Sequence, residues 1–268
     1  MNRQTKGNDV AANHSKMIPK IIHYCWFGGN PLPESAKKCI ASWRKFLPDY
    51  EIKEWNESNF DVNSIAYTRE AYKLKKYAFV SDYARMWILY NYGGLYFDTD
   101  VELINPIDDI IARGNFMGRE PQRDDKDHWT DSKDFGNDQN LGLGVAPGLG
   151  LGLGETPGRS LYREIVNWYK DKHFVSKLGK ITSSTIVNIV SDIIVGKPFK
   201  RFEDGVIYTC GVYIYPSDYF CPKNYATGKL TITANTRSIH HFASTWVKHE
   251  SVWQKIVRRL RGMMAYYL

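Results

Sequence analysis

The sequence predicts an α/β fold built on parallel strands, and three observations support this class. A strand, a helix and a second strand follow one another over residues 20–55. A long apolar helix is predicted within residues 64–92, and the very short strand after it leads directly into Asp98-Thr99-Asp100. Ligands of open α/β sheets bind outside the carboxyl ends of the strands. We therefore expect a polar site at this end of the sheet.

The first elements are predicted from local apolar patterns. Residues 20–26 (KIIHYCW) form an apolar run that ends at Gly28-Gly29, which is typical of a buried strand followed by a loop. A helix is expected over residues 33–46, and the alternating residues 50–55 (YEIKEW) predict the second strand. Strand, helix and strand in this order favour a right-handed parallel crossover.

The helical segment 64–92 is apolar around most of its girth in its second part. Phe79, Tyr83 and Met86 recur there at steps of four and three residues, which predicts a largely buried helix. Gly93-Gly94 is expected to end this helix, because glycine readily adopts the positive φ of a helix C-terminus. Residues 95–97 then predict a very short strand that reaches Asp98.

The second half of the chain carries weaker patterns. Residues 119–140 are polar and charged, which predicts a loop near the site. Residues 141–158 (LGLGVAPGLGLGLGETPG) lack the context of a phosphate-binding loop, so a glycine-rich strand or loop wall is favoured over a phosphate cradle. Helices are expected over residues 160–172 and 185–195, and short strands over residues 212–215 and 238–242.

Composition excludes several classes of protein. The chain has 268 residues, of which 43% are hydrophobic and 24% charged, so it is neither disordered nor collagen-like. This length suits one large α/β domain or two small ones. No apolar run reaches the ~18 residues that a membrane-spanning helix needs. The four cysteines form no CxxC pair, which favours free cytosolic thiols over a zinc site. Residues 1–17 are interpreted as a disordered leader.

Net charge and aromatic content leave alternatives open. The formal net charge of +7 is compatible with nucleic acid, anionic lipid or phosphorylated substrates. Aromatic residues make up 14% of the chain, which suits either stacking on ring-shaped ligands or an aromatic core. Neither number decides the function by itself.

Asp98 and Asp100 carry the clearest chemical signal. Side chains alternate in a strand, so the two carboxylates would project from the same face. Carboxylates held close together repel each other and favour a hard divalent cation beside them. Such a cation completes its shell with water and substrate phosphate oxygens, so the pair is interpreted as a platform for a diphosphate. The flanking apolar strand and helix favour this over a solvated turn.

Two further groups of polar residues have alternative interpretations. Asp82 and Arg85 are three residues apart and share a helix face, where they form either an internal ion pair or a contact to sugar hydroxyls. The segment 238–247 (SIHHFASTWV) offers histidine and serine ligands suited to an ion such as Mn²⁺. Viewed alone, its histidine pair is more often structural.

Together these segments resemble the Asp-x-Asp glycosyltransferases of family 32. That family includes fungal mannosyltransferases and bacterial capsule and polysaccharide enzymes, with glucosylating toxin domains as distant relatives. The matching segments run in family order over most of the chain: residues 18–29 (IPKIIHYCWFGG), 81–85 (SDYAR), 93–102 (GGLYFDTDVE) and 240–246 (HHFASTW). The resemblance implies a GT-A catalytic domain over residues 18–246, with a Rossmann-like nucleotide-binding sheet and additional helices.

The resemblance also implies roles for individual residues. Asp82, Arg85, Asp98 and Asp100 would be the catalytic set that holds the transferred sugar and the metal side of the donor. The donor-binding residues would be Cys25, Trp26, Phe27, Tyr96, Asn140 and Trp246. The metal ligands would be Asp98, Asp100, His241 and Ser244, and His240 could serve in place of His241.

The implied activity is metal-dependent transfer of a hexose with retention of anomeric configuration. Mn²⁺ or Mg²⁺ would be the cofactor, a UDP or GDP sugar the donor, and a glycan or lipid-linked saccharide the acceptor. Two alternatives are a non-catalytic carbohydrate-binding protein of the same fold and a metal-dependent phosphoesterase. Nucleic acid is not an expected partner, because no nucleic-acid-binding signature is present.

The C-terminal segment bears on location. In residues 247–268 apolar side chains follow one helical stripe and basic side chains the other, which predicts a basic amphipathic helix. It would either pack on the domain or dock, through residues 251–268, on an anionic membrane. The second alternative implies a cytoplasmic enzyme bound peripherally to the inner face of the cell membrane.

Overall fold

A computed structural model of the protein describes residues 17–120, 147–155, 157–158, 160–182, 184–194, 196–224 and 227–243. The helices in these ranges are α1 Glu34–Phe46, α2 Ala66–Lys73, α3 Tyr77–Tyr92, α4 Asp108–Arg113, α5 Ser160–Lys170, α6 Ile186–Ile194 and α7 Ser217–Phe220. The strands are β1 Ile21–Cys25, β2 Glu51–Trp55, β3 Gly94–Tyr96, β4 Val101–Leu103, β5 Phe116–Arg119, β6 Pro147–Glu155, β7 Phe199–Arg201, β8 Ile207–Thr209, β9 Val212–Tyr215 and β10 Ser238–His240.

The main sheet has eight strands in the order β2-β1-β3-β6-β5-β9-β8-β7. Strand β1 runs parallel to both β2 and β3, with Ile22 opposite Ile52 on one side and Leu95 on the other. Strand β6 is antiparallel to β3 and β5. Strands β4 and β10 form a separate antiparallel pair. The predicted α/β class is confirmed, and so is the β1-α1-β2 crossover unit.

Helix α1 is hydrogen-bonded to the residue that follows the aspartate pair. Its apolar positions Ala36, Ile40 and Trp43 are all buried, as their helical spacing predicted. The indole N–H of Trp43 donates to the backbone carbonyl of Val101 at 2.7 Å. Because Val101 directly follows Asp100, this bond anchors one end of the aspartate turn to α1.

The predicted helical segment 64–92 is two helices rather than one. A tight turn at residues 74–76 separates α2 from α3, and Lys75 adopts a φ of 57° there. Helix α3 ends where predicted, at Gly93, whose φ is 64° and whose N–H donates to the Leu89 carbonyl at 2.9 Å. At Gly94 a Cβ atom would lie 2.7 Å from the Ile21 carbonyl oxygen, so only glycine lets β3 approach β1.

The leucine-glycine repeat supplies a strand of the sheet. From Pro147 it forms β6, which confirms the strand interpretation for that part, while residues 141–146 lie outside the described residues. A Cβ atom at Gly154 would overlap the ring of Phe116 on the neighbouring strand β5. Glycine in this strand therefore leaves room for aromatic packing from β5.

Two hydrophobic clusters cover the opposite faces of the sheet. Helices α2, α3, α5 and α6 contribute to one cluster, which includes Tyr83, Met86 and Tyr162. Helices α1, α4 and α7 contribute to the other, which includes Trp43 and Phe220. The described helices are all too short or too polar to cross a bilayer.

Candidate metal and donor site

Asp98 and Asp100 lie in a turn that follows β3. The prediction that strand alternation aligns them is wrong, because β3 already ends at Tyr96. Residues 98–101 instead form a turn in which the Val101 N–H donates to the Asp98 carbonyl at 3.0 Å. This turn still brings the two carboxylates together: ligand atoms of Asp98, Asp100 and His240 all lie within 4.8 Å of one another.

His240 reaches the cluster through strand pairing. Strand β10 runs antiparallel to β4, and His240 stands opposite Val101. Its Nε2 atom lies 3.2 Å from Oδ1 of Asp100. His241, the ligand implied by the resemblance, instead places Nε2 2.8 Å from a carboxylate oxygen of Glu102 and is 41% exposed. Successive residues at a strand end face opposite sides, so the structure brings His240, the alternative considered from the sequence, into the cluster and leaves His241 outside it.

The Asp100–His240 pair is electrostatically coupled. Burial alone would raise the pKa of Asp100, but the His240 charge and a hydrogen bond from the Ala243 N–H (2.8 Å) hold it below its usual range. Burial likewise opposes charge on His240, and the Asp100 carboxylate nevertheless raises the pKa of the imidazole. Each group therefore favours the charged form of the other in the absence of a cation.

Arg85 connects helix α3 to the aspartate turn. One guanidinium nitrogen lies 3.1 Å from Asp82 Oδ1 and another 3.2 Å from Asp98 Oδ2. The side chain of Arg85 is only 7% exposed, and its guanidinium lies over the ring of Tyr96, 5.0 Å from the centroid. Although burial opposes it, the carboxylates of Asp98 and Asp82 raise the pKa of Arg85. The internal ion pair considered from the sequence is therefore present, and it extends to Asp98.

The Asp82 carboxylate interacts with two groups of the protein. Besides Arg85, it accepts a hydrogen bond from the backbone N–H of Ile186, the first residue of α6. Burial dominates its titration and raises its pKa to about 6, with Arg85 opposing the rise and Asp98 adding to it. A contact between Asp82 and a sugar hydroxyl would use the remaining lone pairs of this carboxylate.

The predicted donor-binding residues of β1 and β3 differ in accessibility. Tyr96 is buried and its hydroxyl donates to Asp98 Oδ1 at 3.3 Å, so it supports the aspartate turn. Cys25 and Phe27 are buried as well, so their side chains are not accessible to a ligand. Trp26 is partly exposed just after β1, and its indole N–H donates to the Asn30 carbonyl at 2.6 Å.

Two residues near the cluster were not singled out as site residues from the sequence. Glu120 directly follows β5, and burial raises its pKa, with the nearby charges of His240, Asp98 and Arg85 also acting on it. The ammonium group of Lys223 donates to the His241 carbonyl at 2.8 Å. Neither residue belongs to a sequence motif, and only the arrangement of distant strands brings them here.

The cluster of Asp98, Asp100 and His240 fits a divalent cation. Two carboxylates and one imidazole are oxygen and nitrogen donors suited to Mn²⁺, and the ligand atoms are close enough for one ion to contact all three. The remaining predicted ligand, Ser244, lies outside the described residues, as do the donor-binding candidates Asn140 and Trp246 and the predicted helix at 247–268.

The comparison with known families concerns the same part of the chain. Residues 33–117 match the family described as "Glycosyltransferase sugar-binding region containing DXD motif". The matched segment runs from α1 through Arg85 and the Asp98–Asp100 turn into β5. The predicted site residues Asp82, Arg85, Asp98 and Asp100 thus lie within the part of the chain that matches this family description. The resemblance to glycosyltransferase family 32 is confirmed.

Two similar curated proteins come from Schizosaccharomyces pombe. Inositol phosphoceramide mannosyltransferase 1 is 27% identical over 118 residues, which cover 40% of this chain and 35% of that protein. Inositol phosphoceramide mannosyltransferase 3 is 32% identical over 112 residues, which cover 39% of this chain and 30% of that protein. The chain therefore spans about a third of the length of these relatives.

Solved structures of glycosyltransferases are also similar. The galactosyltransferase LgtC in complex with donor and acceptor sugar analogues is 16% identical, covers 91% of this chain and 95% of its own, and gives a TM-score of 0.42. PaToxG glycosyltransferase is 17% identical, covers 56% of this chain and 59% of its own, and gives 0.37. The observed sheet agrees with the expected GT-A arrangement, since β2, β1 and β3 run parallel and the DXD turn follows β3.

Proposed function

We propose that this protein transfers a hexose from a nucleoside diphosphate sugar to a hydroxyl group of a saccharide acceptor. The observation that carries the proposal is the joining of Asp82, Arg85 and Asp98 in one ion-pair chain beside the Asp98–Asp100–His240 cluster. Together, these residues would provide ligands for a cation and polar groups that bind a polyol. The family match at residues 33–117 supports the same activity.

Asp98, Asp100 and His240 are the residues that would hold the cation. A bound Mn²⁺ or Mg²⁺ would supply positive charge to neutralise the diphosphate oxygens as the bond to the sugar breaks. Arg85 keeps the Asp98 carboxylate in place through its 3.2 Å contact, and Tyr96 donates to the other oxygen of Asp98. The side chain that would meet the cation is thus oriented before the donor arrives, which avoids reorganisation during the reaction.

The donor would extend from the cluster along the carboxyl ends of β1 and β3. Trp26, which is partly exposed after β1, would stack on the base, with backbone groups of Cys25 and Phe27 beside it. Asp82 and Arg85 would bind hydroxyl groups of the sugar. We propose further donor contacts from Asn140, Ser244 and Trp246 on the strength of the sequence motifs alone.

The chemistry exchanges one bond of the anomeric carbon for another. The bond to the diphosphate oxygen breaks, the acceptor oxygen bonds to the same carbon, and the acceptor proton leaves with the diphosphate or to solvent. The family resemblance supports retention of configuration, by attack on the face from which the leaving group departs.

The names of the yeast relatives support a choice of substrates to test first. Both are named inositol phosphoceramide mannosyltransferases, so a mannosyl donor and a lipid-linked acceptor are the leading candidates. A role in polysaccharide or capsule biosynthesis, a cytoplasmic location and peripheral membrane contact through residues 251–268 belong to the same proposal. Deleting residues 251–268 should shift the protein from membrane to soluble fractions without abolishing donor hydrolysis.

A donor screen tests the activity directly. The protein is incubated with UDP and GDP sugars in the presence of Mn²⁺, Mg²⁺ or a chelator, and release of the nucleoside diphosphate is measured with and without glycan acceptors. We expect one donor to be consumed in a metal-dependent way and a glycosylated product to form. Cleavage of a simple phosphodiester, without consumption of any nucleotide sugar, would instead identify a phosphoesterase.

A further inference from the structure

The turn between α2 and α3 exposes a leucine among lysines. Residues 73–76 read Lys-Leu-Lys-Lys, all four are exposed, and the Leu74 side chain is 44% accessible. Backbone hydrogen bonds fix the turn: the Lys75 N–H donates to the Tyr72 carbonyl at 2.8 Å and the Lys76 N–H to the Ala71 carbonyl at 2.9 Å. The three lysines and the leucine are thus held at the surface by a defined backbone.

A second exposed segment follows α5. Residues 175–181 form a small hairpin, closed by a bridge between Val175 and Ile181 and by the Ser176 N–H donating to the Lys180 carbonyl at 2.8 Å. Leu178, at its tip, is 87% exposed, and Ile181 is 48% exposed. Lys177 and Lys180 flank the tip. This hairpin repeats the combination of exposed aliphatic and basic side chains.

The base of the hairpin packs on the two helices that flank the turn. The Glu70 carboxylate of α2 accepts a hydrogen bond from the Val175 N–H at 3.0 Å, and Leu74 is one helical turn beyond Glu70 on the same face. Phe174, immediately before the hairpin, packs against Phe79 in the first turns of α3, with ring centroids 4.9 Å apart. The base of the hairpin therefore touches both helices that the turn connects.

Together they form what we call the lysine-leucine surface. Its members are Lys73, Leu74, Lys75, Lys76, Lys177, Leu178, Lys180 and Ile181. Residues 73–76 and 175–182 contain five lysines and no aspartate or glutamate. The acidic neighbour Glu70 is engaged by His173, at 2.6 Å, and by the hairpin backbone. The surface is thus basic and aliphatic at once.

We propose that the lysine-leucine surface docks on an anionic lipid bilayer. Single exposed leucines are ordinary, but adjacent aliphatic side chains rimmed by charge mark an interaction surface. Each lysine near an anionic leaflet strengthens binding about fivefold, and aliphatic side chains add to this by entering the boundary between headgroups and acyl chains. An acidic protein partner would match the lysines but leave the projecting Leu178 without an apolar environment. The proposal stands independently of the glycosyltransferase activity and of residues 251–268.

Vesicle flotation of the full chain tests this surface. Binding is compared between vesicles of phosphatidylcholine with phosphatidylserine and vesicles of phosphatidylcholine alone. The variants are K73Q/K76Q in the turn, K177Q/K180Q in the hairpin and L178S at its tip. The matched control is K38Q/K45Q, because both lysines are exposed on α1, which packs on the opposite face of the sheet. Thermal unfolding checks that all variants retain the fold.

We expect the wild-type protein to bind the anionic vesicles. Each double variant of the lysine-leucine surface should weaken this binding about 25-fold. L178S should weaken it about tenfold. A general loss of charge would lower binding equally in K38Q/K45Q, and that outcome would overturn the proposal. Unchanged binding in the surface variants would also overturn the proposal, because the membrane contact would then lie in other parts of the chain. The same holds if the wild-type chain does not prefer anionic vesicles.

Discussion

A guanidinium nitrogen of Arg85 lies 3.2 Å from Oδ2 of Asp98, so a buried residue of α3 holds the first carboxylate of the DXD turn. The contact depends on two features of the fold. Helix α3 ends at Gly93, and the next strand, β3, has only three residues before the chain reaches Asp98. The helix and the aspartate turn are thereby brought back against each other. This contact links the packing of the core to the geometry of the site.

Replacing Arg85 by lysine should show whether the site needs only the positive charge of this residue or also its two directed contacts. The ammonium group of R85K retains the positive charge but cannot make two directed contacts to Asp82 and Asp98 at once. We expect the fold to be kept and kcat for donor turnover to fall about a hundredfold, because misplacing a catalytic group by an ångström has costs of that order. Steady-state kinetics with circular dichroism checks this. Undiminished kcat in R85K would show that the double contact does not position Asp98.

The two histidines of the C-terminal motif should differ in metal binding. H240Q removes a member of the compact cluster, so its affinity for Mn²⁺ should fall at least about tenfold. H241Q breaks an exposed contact to Glu102, which is worth about 1 kcal/mol or less. Titration of Mn²⁺ followed by electron paramagnetic resonance measures both affinities. The reverse order of effects would restore His241 as the ligand.

Local patterns predicted much of the first half of the fold. Three local features were informative: the apolar run before Gly28, the spacing of Ala36, Ile40 and Trp43, and the glycine pair after α3. Each feature determines the structure of residues close to it in the chain, so it can be recognised in the sequence. The strand at 212–215 was predicted with the bounds that the structure has. The break at residues 74–76 was missed, because no proline or glycine marks it.

Only the site residues that belong to a local sequence motif were predicted. Asp98 and Asp100 stand out because an acidic pair follows an apolar strand. The choice between His240 and His241 depends on the register of β10 with β4, more than a hundred residues apart in the chain. Glu120 likewise joins the site through the order of β6 and β5 in the sheet. Pairing between distant strands leaves no local pattern in one sequence.

His23 should make the stability of the protein depend on pH. It is fully buried, Trp55 donates to its Nδ1 at 3.0 Å, and Nε2 lies 3.0 Å from the Gly93 carbonyl oxygen. Burial lowers its pKa from 6.5 to about 4. Because the fold favours the neutral ring, its stabilisation is complete above about pH 6.5 and is lost as pH falls toward 4.

Comparison with H23Q isolates this effect. Between about pH 7.5 and pH 5 the wild type should lose about 2 kcal/mol more of its unfolding free energy than H23Q, which has no titrating group at this position. Urea unfolding at the two pH values measures the difference. Parallel losses in both proteins would mean that the imidazole does not titrate between the folded and unfolded states as expected.

Gly94 should be intolerant of a side chain. Its φ is +94°, and a Cβ atom would lie 2.7 Å from the Ile21 carbonyl oxygen of the adjacent strand. We expect G94A to lose about 3 kcal/mol of unfolding free energy, since strain and displacement of β1 add together. G29A is the matched control, because Gly29 has φ +67° but open space around it, and should lose only about 1 kcal/mol. Equal losses in urea unfolding would contradict the close approach of β3 to β1.

We propose that the aspartate turn is the metal-dependent donor site of a glycosyltransferase. Its most direct test compares sugar transfer by D98N, D100N and the surface control D49N, using the donor that the wild type consumes and detecting the glycosylated product by mass spectrometry. We predict that D98N and D100N stay folded and lose at least about a hundredfold in transfer rate, while D49N keeps the wild-type rate. Transfer at the wild-type rate by both D98N and D100N would show that the aspartate turn is not the donor site.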